Sequence, residues 1–184
     1  PLGCGIDDVV SFDTGPGNMV VDALMQHYFS QEFDKNGAVA SGAASNPSLL
    51  QWMKNQSDYF QRPWPKSTGR EEFGREFVAA IIQQAENEGI VAADVVRTAT
   101  DFTLETLAES ISIVHSPVEN TEVFVSGGGR HNAVMMQGLR KRLAPARVEP
   151  FDVTGVSSDA KEAVCFSCLG LETLRGVPSS IPSA

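Results

Sequence analysis

The feature that most restricts the fold of this chain is an apolar segment that ends in a glycine-rich turn and continues into a helical pattern. Residues 9–12 are mostly β-branched or aromatic, which predicts a short strand. The breakers at 15–17 end this strand, and Asn18 then predicts the N-cap of a helix. Asp13 is therefore expected at an exposed strand end, where ligands bind in α/β sheets.

The same order recurs later in the chain. Residues 122–126 predict a strand that leads into three glycines at 127–129, a helix over 132–143 and a strand over 147–151. Strands that alternate with helices predict an α/β domain in which helices cover a sheet. Both glycine turns would direct backbone N–H groups and a helix N-terminus at one place.

Helical periodicity predicts most of the remaining chain. The predicted segments are a short helix near 49–52, a helix over 68–89 with Phe73, Phe77, Ile81 and Ala85 on one face, one or two helices over 94–114, and a last helix from 158 or 159 to about 176. Residues 32–48 are predicted as loop, and residues 62–66, with two prolines, as extended or turned.

Composition and charge limit the classes of partner. The 184 residues fit one domain, and a net charge of −9 argues against a nucleic-acid partner, which needs a basic face. The basic cluster at 140–142 is predicted as a helix end, where cations are favoured. No apolar stretch has the roughly 20 residues that a membrane span needs, and no signal peptide is recognisable, so a cytoplasmic location without a membrane partner is expected. Pro1 in first position suggests a fragment or a processed chain.

The cysteines allow two interpretations. Cys165 and Cys168 have the spacing of redox or metal sites, but Cys4 provides no second pair. Because the pair lies inside a helical pattern, we predict small core thiols in a reducing cytoplasm.

Asp13 is the first candidate for chemistry. A carboxylate at a strand end can accept a proton from a hydroxyl or water, or hold Mg²⁺. Spacing alone leaves open a turn-forming aspartate that bonds its own backbone. The neighbouring glycines favour the chemical role, because they let a substrate approach the backbone closely.

The glycines at 127–129 are the second candidate. They permit backbone contact with a nucleotide, although a tight strand-to-helix turn explains them nearly as well. His131 is open to a role as base or ligand, but a single histidine near a turn usually has neither. Asn132 is predicted as the N-cap of its helix.

Two further segments carry charged candidates. Glu162 is either a Mg²⁺ ligand or, with Asp159, part of a capping box. Lys66 and Arg70 are candidates for binding an anionic phosphate or a carboxylated sugar, or for surface pairing with glutamates. Thr68 and Glu71 between them again have the spacing of a capping box.

Several segments, in this order, resemble signatures of the anhydro-N-acetylmuramic acid kinases and the related levoglucosan kinases. The segments are Phe12-Asp13-Thr14-Gly15-Pro16-Gly17-Asn18, Asp34-Lys35-Asn36-Gly37, Pro65-Lys66-Ser67-Thr68-Gly69-Arg70-Glu71, Gly127-Gly128-Gly129-Arg130-His131-Asn132 and Asp159-Ala160-Lys161-Glu162-Ala163. Arg130 stands where alanine is usual in the family. Residues 176–183 are similar to the family's C-terminal end, so the resemblance spans nearly the whole chain.

The resemblance implies a fold and an activity. The fold is a ribonuclease-H-like lobe of the actin-like ATPase superfamily, a mixed sheet flanked by helices. Residues 1–184 would be the C-terminal lobe of a two-lobed sugar kinase whose N-terminal lobe, with its Asp-Gly-Thr-Ser turn, is absent. The activity would be ATP-dependent phosphorylation of a 1,6-anhydro sugar with hydrolytic opening of the anhydro bridge to give the sugar 6-phosphate.

The resemblance also implies roles for single residues. Asp13 matches the catalytic base, and Glu162 matches a position associated with the Mg²⁺ ion that accompanies ATP. Nucleotide-binding roles fall on the two turns, at Gly15, Gly17, Asn18, Gly127, Gly128, Gly129 and Asn132.

Two alternatives to this function remain open at the level of sequence. One is a levoglucosan kinase, and the other is a non-catalytic fragment that binds nucleotide weakly or pairs with another chain. An isolated lobe would expose the surface that faces its partner lobe, so a homodimer is among the expected partner states.

Overall fold

The computed structural model describes residues 9–114 and 118–178, in which helices flank a small parallel sheet. The helices are α1 (Met19–Phe29), α2 (Ala38–Ser41), α3 (Pro47–Asn55), α4 (Arg70–Phe73), α5 (Arg75–Glu88), α6 (Ala92–Val114), α7 (Ala133–Arg142) and α8 (Lys161–Leu174). The strands are β1 (Glu122–Val125) and β2 (Arg147–Pro150). The predictions for Cys4 and for the chain after residue 178 lie outside the described residues.

The sheet is a parallel pair built around α7. Glu122 of β1 is opposite Arg147 of β2, and Val125 is opposite Pro150. This confirms the strands predicted near 122–126 and 147–151, as well as the helix between them. A strand, a helix and a parallel strand form the unit expected of an α/β domain.

The strand predicted over residues 9–12 is wrong. These residues have irregular backbone, and the described residues form a single two-stranded sheet that does not include them. A β-branched and aromatic pattern indicates a half-buried surface more directly than it indicates strand pairing.

The long helix α6 is the centre of the core. It packs against α1, α2, α3 and α7, and its buried residues include Phe102 and Leu104. A single helix therefore covers the segment predicted as one helix or two. Neither this helix nor any other in the described residues is long and apolar enough to cross a membrane.

The helix predicted over 68–89 is divided at Gly74, between α4 and α5. A Cβ at Gly74 would lie 2.0 Å from the backbone oxygen of Arg70, so only glycine permits this close approach. The predicted apolar face is nevertheless confirmed by the burial of Phe73, Phe77, Ile81 and Ala85. Gly89 ends α5 in the left-handed conformation, as expected.

The segment predicted as loop over 32–48 contains a helix, α2, so that prediction is wrong in part. The buried carboxylate of Asp34 accepts hydrogen bonds from the backbone N–H groups of Val39, at 2.9 Å, and Ala40, at 3.0 Å. These N–H groups have no partner within so short a helix, and the carboxylate satisfies them. Residues 62–66 are irregular, in agreement with the prediction.

An aromatic cluster joins the core to the loop before α4. Its members are Tyr59, Phe60, Phe73, Phe77 and Phe102, mostly in edge-to-face contact. The rings of Tyr59 and Phe73 are 5.7 Å apart, and Tyr59 is completely buried. Such contacts favour defined ring orientations, which fixes the direction of the Tyr59 hydroxyl.

Helix α8 lies outside the core, and none of its side chains is buried. Phe166 is 72% exposed and Leu174 is 88% exposed. Cys165 and Cys168 are also exposed, so the prediction of core thiols is wrong. The helical pattern is correct, but nothing in the described part of the chain covers this helix.

Candidate active site

The carboxylate of Asp13 is exposed and held on one side only. Its Oδ2 atom accepts a hydrogen bond from the Ser67 hydroxyl at 3.0 Å and another from the Thr68 backbone N–H at 2.9 Å. Within the described residues its Oδ1 atom accepts no hydrogen bond. The alternative of an aspartate that bonds its own turn is not observed, because both partners lie more than fifty residues away. One oxygen is thus oriented and the other is free to accept a proton.

The backbone of Asp13 is fixed as firmly as its side chain. Its N–H donates to the backbone oxygen of Lys66 at 2.9 Å. Its carbonyl accepts a hydrogen bond from the Tyr59 hydroxyl at 2.6 Å. Burial, and after it the Asp13 carboxylate, raise the pKa of Tyr59, so its hydroxyl remains a donor at neutral pH. The aromatic cluster thereby positions Asp13 through Tyr59.

The glycine turn after Asp13 rests on α6. The Thr103 hydroxyl donates to the Gly17 carbonyl at 2.8 Å. Gly15 has a φ of +148°, and a Cβ there would lie 3.0 Å from the Thr106 hydroxyl oxygen. The turn requires glycine for both reasons. These contacts with Thr103 and Thr106 fix the position of the turn relative to α6.

Asn18 faces the second glycine turn instead of capping its own helix. It immediately precedes α1, as predicted, but its side chain makes no capping hydrogen bond. A Cβ placed on Gly128 would lie 3.6 Å from the Asn18 amide nitrogen. The two glycine turns therefore meet at Asn18.

A cavity of about 280 Å³ lies where the two turns meet, and its lining includes Asn18, Asp22, Gly128, His131 and Asn132. Its apolar surface comes from side chains such as Val21, Phe33 and Met135. Burial raises the pKa of Asp22. An apolar cavity with a few polar groups at its edge is the usual form of a site for a small organic ligand.

Asn132 caps α7, as predicted. Its amide oxygen accepts from the backbone N–H groups of Val134, at 3.0 Å, and Met135, at 3.1 Å. The cap uses the oxygen of the side chain, and its amide nitrogen donates no hydrogen bond within the described residues. Residues 128–131 form a short 3-10 turn after Gly127, which has a φ of +80°.

Arg130, the residue that departs from the family pattern, ties the second glycine turn to the segment before α8. Its guanidinium pairs with Asp159 at 2.7 Å and with Asp152 at 3.4 Å. The capping box predicted for Asp159 and Glu162 is wrong, because α8 begins after Ala160 without a side-chain cap. Asp159 is engaged with Arg130 instead.

The Lys66 ammonium group binds backbone carbonyls of the same chain. The group donates to the backbone oxygens of Tyr59, at 3.0 Å, and Phe60, at 3.4 Å, and lies 4.6 Å from the centre of the Tyr59 ring. Burial, and to a smaller degree the nearby Arg62, lower the pKa of Lys66. Its predicted role in substrate binding therefore competes with a structural one.

In the part of the chain that the structure describes, neither Arg70 nor Glu162 forms a hydrogen bond with the Asp13 carboxylate, whose partners are Ser67 and Thr68. Arg70 is exposed and lines an apolar groove beside Met19 and His27. Glu162 is exposed in the first turn of α8. The capping box predicted for Thr68 and Glu71 is wrong, because α4 begins after Gly69 without a side-chain cap.

Sequence reasoning missed the residues that hold Asp13, namely Ser67, Thr68 and Tyr59. Ser67 and Thr68 occur in a segment that resembles a family signature, which is the only signal the sequence offers for them. The Thr68 hydroxyl is buried and has no hydrogen-bond partner in the described structure. A buried polar atom without a partner calls for an explanation, and here it lies beside the candidate base.

Comparison with known proteins identifies the family of the chain. Residues 5–184 match the family model described as anhydro-N-acetylmuramic acid kinase. The chain belongs to this family. A protein named anhydro-N-acetylmuramic acid kinase from Salinibacter ruber is 37% identical over the whole chain, and one from Clostridioides difficile is also 37% identical over the whole chain. One from Rhodococcus erythropolis is 38% identical over 95% of the chain.

The match to the anhydro-N-acetylmuramic acid kinase family covers only part of each relative. The chain spans 46% of the Salinibacter protein, 48% of the Clostridioides protein and 43% of the Rhodococcus protein. The chain therefore corresponds to somewhat less than half the length of each of these three relatives.

Proposed function

We propose that this chain forms one side of the active site of an ATP-dependent kinase that opens and phosphorylates a 1,6-anhydro sugar; the names of its relatives support a kinase that acts on an anhydro sugar. The remaining side would come from a second, preceding lobe. The family match and the βαβ unit of the described residues support a ribonuclease-H-like lobe as the complete architecture.

The geometry of Asp13 carries the proposal. Its Oδ2 atom is occupied by Ser67 and Thr68, while its Oδ1 atom accepts no hydrogen bond within the described residues and belongs to an exposed residue. Oδ1 takes a proton from water, and the water oxygen forms a bond to the anomeric carbon. The bond between that carbon and O6 breaks, and O6 attacks the γ-phosphorus of ATP as ADP leaves. A carboxylate oriented in advance is suited to such proton transfer.

The cavity between the glycine turns is proposed to take part of the nucleotide. Asn18, Gly128 and Asn132 line it, and Asn132 is the N-cap of α7. Because the Asn132 cap occupies the N–H groups of Val134 and Met135, the proposed phosphate contacts are the Asn18 amide and the glycine backbone of the turn at 127–129, where glycine permits close approach. The turn at Gly15 and Gly17 leads from this cavity to Asp13, so phosphates bound along it would approach the base.

Mg²⁺ is proposed to accompany ATP. The described residues contain no group of three or more His, Cys, Asp or Glu side chains arranged to hold a metal ion. Mg²⁺ commonly binds through one or two carboxylates together with substrate phosphates and water, and a single carboxylate such as Glu162 fits that pattern. When bound, the ion would neutralise charge on the phosphates. Lys66 and Arg70 remain proposed contacts for anionic groups of the sugar.

The proposal is tested with a two-lobed protein that contains this chain as its second lobe. The assay supplies ATP and 1,6-anhydro-N-acetylmuramic acid in ¹⁸O-labelled water, with levoglucosan as the competing substrate. The expected product is the sugar 6-phosphate with ¹⁸O at the anomeric carbon. Preference for levoglucosan, or product without the label, would contradict the proposed substrate or the proposed hydrolytic step.

A second arm uses the 184-residue chain alone. We expect no turnover, because half of the phosphate-binding surface would be missing. Measurable phosphorylation by the chain alone would show that it does not need a second lobe.

A further inference from the structure

A second cavity, of about 530 Å³, lies between α2, α6 and α7, and its lining is basic. Its charged residues are Arg97, Asp101, Lys141 and Arg142. Three cations against one carboxylate leave an excess of positive charge. The chain as a whole has a net charge of −9, so a local excess of positive charge at this cavity is opposite in sign to the charge of the whole chain. Local charge of one sign in a concave site raises the local concentration of ligands of the opposite sign.

Asp101 fixes the two arginines within this cavity. Its Oδ2 atom accepts from the Arg97 Nε–H at 2.8 Å, and its Oδ1 atom accepts from an Arg142 Nη2–H at 2.7 Å. The carboxylate is buried, whereas both guanidinium groups remain partly exposed. The two guanidiniums are thereby held side by side at the cavity wall, and little side-chain entropy remains to be lost on binding.

Most of the donors of these guanidiniums remain available. Each guanidinium has five N–H donors. Arg97 uses one for Asp101 and one for the Ala40 carbonyl, and Arg142 uses one for Asp101 and one for the Gly138 carbonyl. The Asp101 contacts join α6 to α7. The remaining guanidinium N–H groups of Arg97 and Arg142 have no role in that contact and are available to a ligand.

Lys141 and Gln137 extend the same wall. Both are exposed residues of α7 that line the cavity, and Lys141 forms no ion pair within the described residues. Ser41, at the end of α2, also lines the cavity, and its hydroxyl donates to the Ala38 carbonyl at 3.1 Å. Planar guanidinium donors with a nearby ammonium group match the oxygens of a phosphate group.

We propose that this cavity binds the phosphate group of a small phosphorylated molecule, at a place separate from the cavity between the glycine turns. Arg97 and Arg142 would bind the phosphate oxygens, with Lys141 and Gln137 beside them. The volume falls in the usual range for small-molecule sites and exceeds that of a bare phosphate. An organic group attached to the phosphate therefore has room.

The test measures binding of inorganic phosphate and of glycerol 3-phosphate to the 184-residue chain by calorimetry, at constant ionic strength. Arginine Nε–H signals in NMR spectra locate the ligand. We expect saturable binding that shifts the Arg97 and Arg142 signals. Tighter binding of glycerol 3-phosphate would identify an ester as the occupant, and equal binding would identify free phosphate. Absence of saturable binding overturns the proposal.

Variants at exposed positions separate this site from general charge effects. Lys141→Glu and Gln137→Glu each should weaken binding by about tenfold or more, because both place a carboxylate at the cavity. The matched control is Arg140→Gln, a neighbouring charge loss on α7 outside the cavity. Equal weakening in the control would indicate diffuse electrostatics and overturn the proposal.

A last variant separates this site from the proposed nucleotide site. Asn18→Ala alters the cavity between the glycine turns and should leave phosphate binding unchanged. Loss of phosphate binding in Asn18→Ala would place the ligand in that other cavity and overturn the present inference. Failure of the kinase proposal would leave the outcome for Lys141→Glu unaffected.

Discussion

The Ser67 hydroxyl lies 3.0 Å from Asp13 Oδ2, although 54 residues separate the two in the chain. The same carboxylate oxygen accepts the Thr68 N–H, so both bonds restrain one side of the carboxylate. The other carboxylate oxygen, Oδ1, is the one proposed to accept a proton. Ser67 is therefore a positioning residue for Asp13.

Removal of the Ser67 hydroxyl should lower kcat more than it changes KM. In a two-lobed protein that contains this chain, Ser67→Ala should reduce kcat about tenfold, since a hydrogen bond to a charged group contributes about 1.5–3 kcal/mol. Ser67→Thr keeps a hydroxyl and should recover most of the rate. Steady-state kinetics measure both values. An unchanged kcat in Ser67→Ala would remove Ser67 from this role.

Loss of the Asn18 side chain should weaken nucleotide binding. The Asn18 amide lies at the meeting point of the two glycine turns, so Asn18→Ala should raise the Kd for ATP about fivefold, the effect of one lost hydrogen bond. Titration with a fluorescent nucleotide measures the change. Asn87→Ala, which removes an exposed amide of α5, is the control and should have no effect. Equal Kd values for all three proteins would contradict a nucleotide at this cavity.

Asp101 should make stability depend on pH in the acid range. Burial alone would raise the pKa of Asp101, but hydrogen bonds and charge interactions from Arg97 and Arg142 outweigh it and hold the pKa below its ordinary value. A lowered folded-state pKa means that the stabilisation is present above the unfolded value, about 3.9, and is lost as pH falls through the folded value.

The corresponding variant is Asp101→Asn. Its free energy of unfolding at pH 7 should be lower by about 2 kcal/mol, because two guanidiniums are left without their shared carboxylate. The difference from the unsubstituted chain should shrink below about pH 4. Denaturant unfolding followed by circular dichroism measures it. Asp58→Asn, which breaks the exposed pair with Arg62, should cost less than about 1 kcal/mol. A pH-independent difference for Asp101→Asn would contradict the electrostatic explanation.

The exposed helix α8 should promote self-association of the isolated chain. Phe166 and Leu174 are largely exposed, and nothing in the described residues covers them. Replacement of both by serine should shift the mass measured by light scattering towards the monomer at high concentration. Ser167→Ala, a change at another exposed position of α8, is the control. A monodisperse monomer for the unsubstituted chain would contradict this expectation.

The sequence predicts the elements that depend on local pattern. The strands near 122–126 and 147–151, the cap at Asn132 and the buried face of α5 follow from periodicity and capping preferences. It fails where tertiary context decides. The burial of Cys165 and Cys168 depends on what covers α8, and helical periodicity does not contain that information.

The candidate site divides in the same way. Asp13 is exposed, as predicted, but it does not lie at a strand end, because residues 9–12 form no strand, and the two glycine turns contribute to one cavity. The hydroxyls that position Asp13 come from residues far along the chain, and no short-range rule pairs Tyr59 or Ser67 with it. The capping boxes predicted at 68–71 and 159–162 fail because Thr68 and Asp159 have surroundings that a local pattern does not specify.

The central claim is that Asp13 is the catalytic base, and the most direct measurement is the phosphorylation rate of Asp13→Asn in a two-lobed protein containing this chain. The asparagine preserves the shape of the side chain but cannot accept the proton. The predicted result is a loss of about 10²–10⁴-fold or more in kcat, with ATP binding mostly intact. A rate close to that of the unsubstituted protein would contradict the claim.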